Sequence, residues 1–269
     1  MHAWTVVTLL LLLPHYARSF TDVLGRVRQR QRRQGRRQHH DGLLATPARQ
    51  GNLLGPIQQL QQDYFALRHG QSLANVAGLI MSDPASACTE YGLTDTGKEQ
   101  AAQAAKDVRQ AFLLAKDDYY DSLVILASDL KRAKETAMIV FDKNSQELPI
   151  LQDQVIVETR LRERWFGEWD GSSDANYNKV WIDDALDADH TIKGVESVHQ
   201  VMTRTTECIL EWDKRLAASE KKRCMVVLVA HGDVLQILQT AFEKMDGRKH
   251  RDLPHLETAQ LRQLNLATS

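Results

Sequence analysis

Apolar positions along this chain fall into two alternating patterns. Asp63–Leu67, Leu123–Ala127 and Met225–Ala230 hold short, nearly unbroken apolar runs, the pattern of strands covered on both faces. Val155–Thr159 reads as a further strand, and Gln260–Leu266 alternates enough to close the sheet. Between these runs the spacing turns helical. Thr94–Leu114 carries a stripe of Ala101, Ala104, Ala105, Val108 and Phe112, with Thr94 as its cap. Asp129–Phe141 has Leu130, Ala133, Ala137, Ile139 and Val140 for packing, with Ser128 expected to cap it. Gly194–Leu216 contains a helix that Ser197 caps, and Val234–Phe242 is the last. Strand and helix in alternation predict an α/β fold: a single three-layer domain, a mostly parallel sheet flanked by helices. The stretch 160–193 fits neither period. It carries Trp165, Trp169, Tyr177 and Trp181 among several Asp, and is expected to be a lid insertion over the strand ends.

The amino-terminal segment follows neither pattern. Ala3–Leu13 is an apolar stretch ending at Pro14, too short to span a bilayer but the right size for a signal-peptide core. Ala17 and Ser19 are the small residues a signal peptidase reads, so residues 1–19 are expected to be a signal peptide. Residues 20–55 are Arg-rich and nearly acid-free, a composition that cannot build a core. A signal peptide followed by Phe20 and such a stretch resembles the bipartite presequence of algae with secondary plastids. The resemblance implies plastid import; the alternative is a secreted protein with a basic propeptide. The domain itself is expected over 56–269.

Charge sharpens this division. Residues 1–60 hold nine Arg, no Lys and two acidic residues, Asp22 and Asp41, a balance of +7. The remaining 25 basic and 33 acidic residues give the rest of the chain -8. An acidic domain is not expected to bind nucleic acid, and no stable membrane association is expected after processing. Cys88, Cys208 and Cys224 show neither zinc nor disulfide spacing and read as structural. No cofactor is implied. His250 and His255 offer too few ligands for a metal and read as loop residues, one of which could line a pocket; His190 and His199 read as surface residues.

The chemistry sits at the ends of two predicted strands. Arg68-His69-Gly70 closes the first and His231-Gly232 closes the Met225–Ala230 run. Active sites of open parallel sheets lie at the carboxyl ends of strands. Two histidines with nearby arginines suit phosphoryl transfer onto an imidazole. Each motif alone is weak; their conjunction is specific. Arg68-His69-Gly70-Gln71-Ser72-Leu73-Ala74-Asn75 matches the Arg-His-Gly-x-Ser/Thr-x-x-Asn pattern of the histidine phosphatase superfamily, the phosphoglycerate-mutase-like proteins. Gly92–Gly97, Ser128–Ala137 around Arg132, Leu161–Gly171 around Glu163, Gly194–Ser197 with Arg204, and Ala230-His231-Gly232 resemble later family segments, in the family's order.

The resemblance implies a phosphoglycerate-mutase-like fold and a phosphatase of small phosphorylated molecules. It makes His69 the nucleophile, Arg68 and Arg132 the forks that grip phosphate oxygens, and His231 a further donor. Asn75 would add a neutral donor, and Gly232 would open a helix whose first amides face the phosphate. Glu163 would protonate the leaving oxygen and then activate water, with Trp165 and Phe166 expected to raise its pKa by desolvation; the alternative is an ion pair with Arg162 or Arg164. The Phe166–Gly171 segment resembles the broad phosphatase branch more than the mutases. A mutase and a catalytically silent binding protein stay as alternatives, and neither the particular substrate nor the oligomeric state is legible.

Overall fold

The computed structural model describes residues 51–115, 120–219 and 223–268. The signal peptide and most of the Arg-rich segment expected at 20–55 lie outside the described residues. Residues 51–55, placed in that segment by composition, pack on the domain. Leu54 is fully buried in its core, and Asn52 Nδ2 donates to the Ala241 carbonyl at 2.8 Å.

Among the described residues five strands form one sheet. In chain order they are β1 (Asp63–Arg68), β2 (Ser122–Ala127), β3 (Ile156–Val157), β4 (Cys224–Ala230) and β5 (Leu261–Leu264). Their spatial order is β3-β2-β4-β1-β5, parallel except for β5, which runs antiparallel to β1. The uninterrupted apolar runs are explained by helices on both faces. Tyr64, Ala66, Val124, Leu126, Val226 and Leu228 point to one face, where Ile209, Trp212, Leu235 and Leu238 meet them. Phe65, Leu67, Leu123, Ile125, Val227 and Val229 point to the other, against Ala104, Val108, Ala133 and Ala137. The first face is covered by helices Val198–Ala217 and Gly232–Phe242, the second by Asp95–Leu114 and Lys131–Asn144.

Thr94 caps its helix as expected, accepting from Gly97 N at 3.0 Å, and Ser197 forms a reciprocal capping box with Gln200. Ser128 does not cap the next helix. That helix begins at Lys131 and its N-cap is Leu130, which has no side-chain cap bond; Ser128 Oγ accepts from the Leu130 amide, one residue ahead of the helix, and also meets His231 Nε2. The stretch 160–193, which shows no clean period, contains a ten-residue helix, Tyr177–Leu186, between short 3-10 turns.

Register sets the site. β1 and β4 pair from Asp63↔Met225 to Arg68↔Ala230, so the residues that follow, His69 and His231, emerge side by side. The His69 amide donates to the Ala230 carbonyl at 3.0 Å, and the imidazole centroids are 5.2 Å apart. The loop after His69 is clamped against the helix that starts at Asp95. A Cβ on Gly97 would stand 2.0 Å from the Gln71 carbonyl oxygen, and one on Gly70 would stand 2.4 Å from the Gly97 carbonyl oxygen. Gly97→Ala is therefore expected to cost at least about 1–3 kcal/mol, lowering the thermal midpoint by several degrees, because backbone rather than a movable side chain must give way. Thermal unfolding of the variant beside the parent checks it; an unchanged midpoint would show that the clamp is looser than the geometry indicates.

Candidate active site

The loops after β1 and β4, the start of the Lys131 helix and the 160–193 insertion meet around a cavity of about 180 Å³. Arg68, His69, Asn75, Arg132, Glu163 and Gly232 all line it. His231 is fully buried beside His69 and does not itself line the cavity.

His69 is held in one tautomer. Its Nδ1 lies 2.7 Å from the Gly70 carbonyl, which can only accept, so the proton sits on Nδ1. Its Nε2 then presents a lone pair, toward which Arg132 Nε donates at 3.1 Å. Burial, then the charges of Arg132 and Arg68, hold the His69 pKa well below its usual value, so the ring is neutral at physiological pH. His231 is likewise held neutral, first by burial and then by Arg132. Its Nε2 lies 2.9 Å from Ser128 Oγ, which already accepts from the Leu130 amide at 3.2 Å. His231 Nδ1 has no partner among the described residues.

The arginines are anchored from behind. Arg132 is buried and donates from Nη2 to the Met81 carbonyl at 2.9 Å, while its Nη1 has no partner among the described residues. Arg68 donates from Nη1 to the Leu256 carbonyl at 2.9 Å and to His255 Nε2 at 2.8 Å. Asn75 lies in the first helical turn after Ser72, and its Oδ1 accepts from the Ser72 amide and hydroxyl, both at 3.0 Å. Its carbonyl end is thus spent on the loop, and its amide end is left as a donor. Gly232 begins the Gly232–Phe242 helix.

Glu163 is buried, and its pKa is raised to about 7. Burial is the main cause; Arg132 opposes it and Asp233 reinforces it, while the Arg164 amide donates to Oε1 at 3.0 Å. Neither neighbouring arginine pairs with it. Arg162 pairs with Asp129, and Arg164 pairs with Asp184 and Asp233. The expected cover is only partly right. Trp165 is 40% exposed, and Phe166 packs into a separate cluster with Ile80, Val180 and Val195. Tyr177 and Trp181 line the cavity beside Glu163 instead.

Several residues of the site were not legible. Arg164 is fully buried; Asp184 accepts from both its Nη1 and Nη2 at 2.7 Å. His190, read as a surface residue, is buried, with Nε2 2.6 Å from Asp184 Oδ1. Asp233 joins this group to the cavity, accepting from Trp181 Nε1 at 2.9 Å. His255 and Arg251 line the cavity from the segment before β5. The one hint was the reading that either His250 or His255 could line a pocket; His255 does, and His250 is fully buried away from the lining.

Comparison with known proteins identifies the family. The family description "histidine phosphatase superfamily (branch 1)" matches residues 64–269. A glucosyl-3-phosphoglycerate phosphatase of Mycolicibacterium vanbaalenii is 31% identical over 190 residues, 65% of this chain and 71% of that protein. A broad-specificity phosphatase of Saccharomyces cerevisiae is 25% identical over 187 residues, 70% of this chain and 73% of that one. Among solved structures, a mycobacterial glucosyl-3-phosphoglycerate phosphatase in complex with VO3 superposes with a TM-score of 0.59 at 26% identity, covering 75% of this chain and 90% of that one.

Proposed function

We propose, from the premise that this chain belongs to branch 1 of the histidine phosphatase superfamily, that it hydrolyses small phosphomonoesters through a phosphohistidine on His69. That it is a phosphatase follows from the family and its named relatives. The observation that carries the finer reading is the fixed tautomer of His69, whose Nε2 bears the lone pair beside Arg132 Nε, in a ring that lines the same cavity as a carboxyl group with a pKa of about 7.

In the first step His69 Nε2 forms a bond to phosphorus as the ester P–O bond breaks, and protonated Glu163 gives its proton to the leaving alkoxide. Arg68 and Arg132 hold the equatorial oxygens with charge-assisted donors, and His231 stands beside His69 as a neutral imidazole. In the second step Glu163, now a carboxylate, takes a proton from water, whose oxygen attacks phosphorus. The P–N bond breaks, its electrons return to Nε2, and phosphate leaves. Positioning and electrostatics supply most of what such a transfer requires.

Hydrolysis rather than mutase chemistry is supported by the named relatives, which are phosphatases. A phosphatase must admit water to the phosphohistidine, which a mutase must deny. The test incubates the purified protein with para-nitrophenyl phosphate and, separately, with 3-phosphoglycerate with and without 2,3-bisphosphoglycerate. Free phosphate without 2-phosphoglycerate is expected. Efficient 2-phosphoglycerate formation with little phosphate release would replace this reading with the mutase. A folded protein inert on both substrates, whose thermal midpoint vanadate does not raise, would make it a silent relative.

A further inference from the structure

Tyr177 lines the cavity, and the two-step chemistry leaves it unused. The charges that act on its hydroxyl are, in order, those of Glu163, Arg132, Asp233 and Arg68. The effect is mutual, since the same hydroxyl is among the groups that act on Arg132 and on Arg68. Charge on a tyrosine sits on its phenolic oxygen. These mutual effects therefore place that oxygen, rather than the ring alone, at the end of the cavity that holds the acid and the two forks.

The ring is fixed there by its neighbours. Tyr177 opens the Tyr177–Leu186 helix, and Trp181 follows one turn later. The two rings stack with centroids 5.4 Å apart and planes 8° apart. Trp181 is itself tied by Nε1 to Asp233 at 2.9 Å, and the Arg251 guanidinium lies 3.7 Å from its ring centroid. Fully buried Phe166 meets the Tyr177 ring edge to face, with centroids 4.9 Å apart. The hydroxyl that this packing presents has no hydrogen-bond partner among the described residues. Tyr64 shows the ordinary arrangement, donating from its hydroxyl to the Ile209 carbonyl at 3.1 Å. A tyrosine hydroxyl packed inside a protein normally finds such a partner. One held without a partner, beside two arginines that grip phosphate, is a donor positioned before its acceptor arrives. Burial, then Glu163, raise its pKa, so it stays a neutral O–H in the range where the protein works.

We propose that the Tyr177 hydroxyl donates to a non-bridging oxygen of the transferring phosphoryl group, as a neutral donor beside the forks of Arg68 and Arg132. The leaving oxygen receives its proton from Glu163, so the phosphoryl group is what remains for this hydroxyl to meet. No proton changes hands; the hydrogen bond strengthens as charge develops on the oxygen. The inference rests on the phosphatase reading above.

The test is Tyr177→Phe, which keeps the ring with its Trp181 and Phe166 contacts and removes the hydroxyl alone. Both steps transfer the same phosphoryl group. So kcat is expected to fall about 30-fold on para-nitrophenyl phosphate and on 3-phosphoglycerate alike, with KM changed less than about threefold. Vanadate presents the oxygens of that group without a leaving group, and should bind the variant about tenfold more weakly by titration calorimetry. The thermal midpoint without ligand should stay within about one degree of wild type. A variant with wild-type kcat would make Tyr177 a wall residue and overturn the proposal. So would a loss confined to 3-phosphoglycerate, which would put the hydroxyl on the leaving oxygen, or a loss of kcat with vanadate affinity unchanged. A fall in activity that tracks a lowered midpoint would assign the loss to packing and overturn it as well. The phosphatase reading survives all of these results; a wild type inert on both substrates sinks both.

Discussion

His69→Ala is expected to lower phosphate release from para-nitrophenyl phosphate by about four orders of magnitude or more, as loss of a nucleophile commonly does. The size follows from the loss of the attacking nitrogen, because neighbouring groups are engaged elsewhere: His255, also in the lining, has its Nε2 2.8 Å from Arg68 Nη1. His231 is the other imidazole at the strand ends, but its Nε2 is engaged by Ser128 and the ring does not line the cavity. Tyr177 lines the cavity, but burial and then Glu163 push its pKa up, so the phenolate is not at hand. Binding should survive better than turnover, because Arg68 and Arg132 keep their anchors on Leu256 and Met81. Arg132 Nε would lose its acceptor, so His69→Asn, which retains a polar side chain, is the companion variant. Wild-type protein quenched during turnover should carry acid-labile, base-stable phosphate, and both variants should carry none. Retained phosphate release in folded His69→Ala would show that another group attacks phosphorus and would remove His69 from the mechanism.

What could be read in advance, and what could not, divides along physical lines. The strands were legible because burial on both faces leaves an apolar run with nothing polar inside it, as Cys224–Ala230 shows. The Asp95–Leu114 and Val198–Ala217 helices were legible because each offers one apolar stripe and a hydroxyl cap. The histidine–glycine ends of β1 and β4 were legible because a sheet register needs only the two strands to be found. The Tyr177–Leu186 helix was not. Its buried positions are Val180 and Asp184, and Asp184 is there to meet Arg164 and His190, so the inward face carries no apolar period. The same buried network hid His190 and Arg164, since an ion pair formed across 20 residues leaves no local trace. Ser128 was misread because a hydroxyl three residues before a helix looks like a cap whichever group it serves. Arg251 and His255 reach the site only because β5 returns antiparallel beside β1, a long-range event with no signature at either residue.

Glu163→Gln carries the second large effect, and it should split by substrate. For alkyl phosphates the leaving alkoxide must be protonated, so loss of the acid is expected to lower kcat/KM by about 10²- to 10⁴-fold. For para-nitrophenyl phosphate the leaving group departs unaided, so phosphohistidine still forms, but the water that cleaves it has lost its base. A burst of nitrophenol with slow steady-state release is then expected. The pH dependence fixes the sign. Burial raises the Glu163 pKa to about 7 against the pull of Arg132, so the protonated form that serves as acid is lost as pH rises through about 7. Wild-type kcat/KM for alkyl substrates should fall above that pH, and the glutamine variant should lack this descending limb. Stability supplies an independent reading of the same carboxyl. Between its ordinary value of 4.5 and about 7, folded Glu163 keeps a proton that the unfolded chain has released, so its contribution to stability falls as pH rises through that window. Glu163→Gln removes this penalty, and its thermal midpoint should gain on wild type between pH 5 and about 8, roughly the span of that window. A variant that loses activity equally on both substrates, with the wild-type pH profile intact, would assign the acid and base to another group.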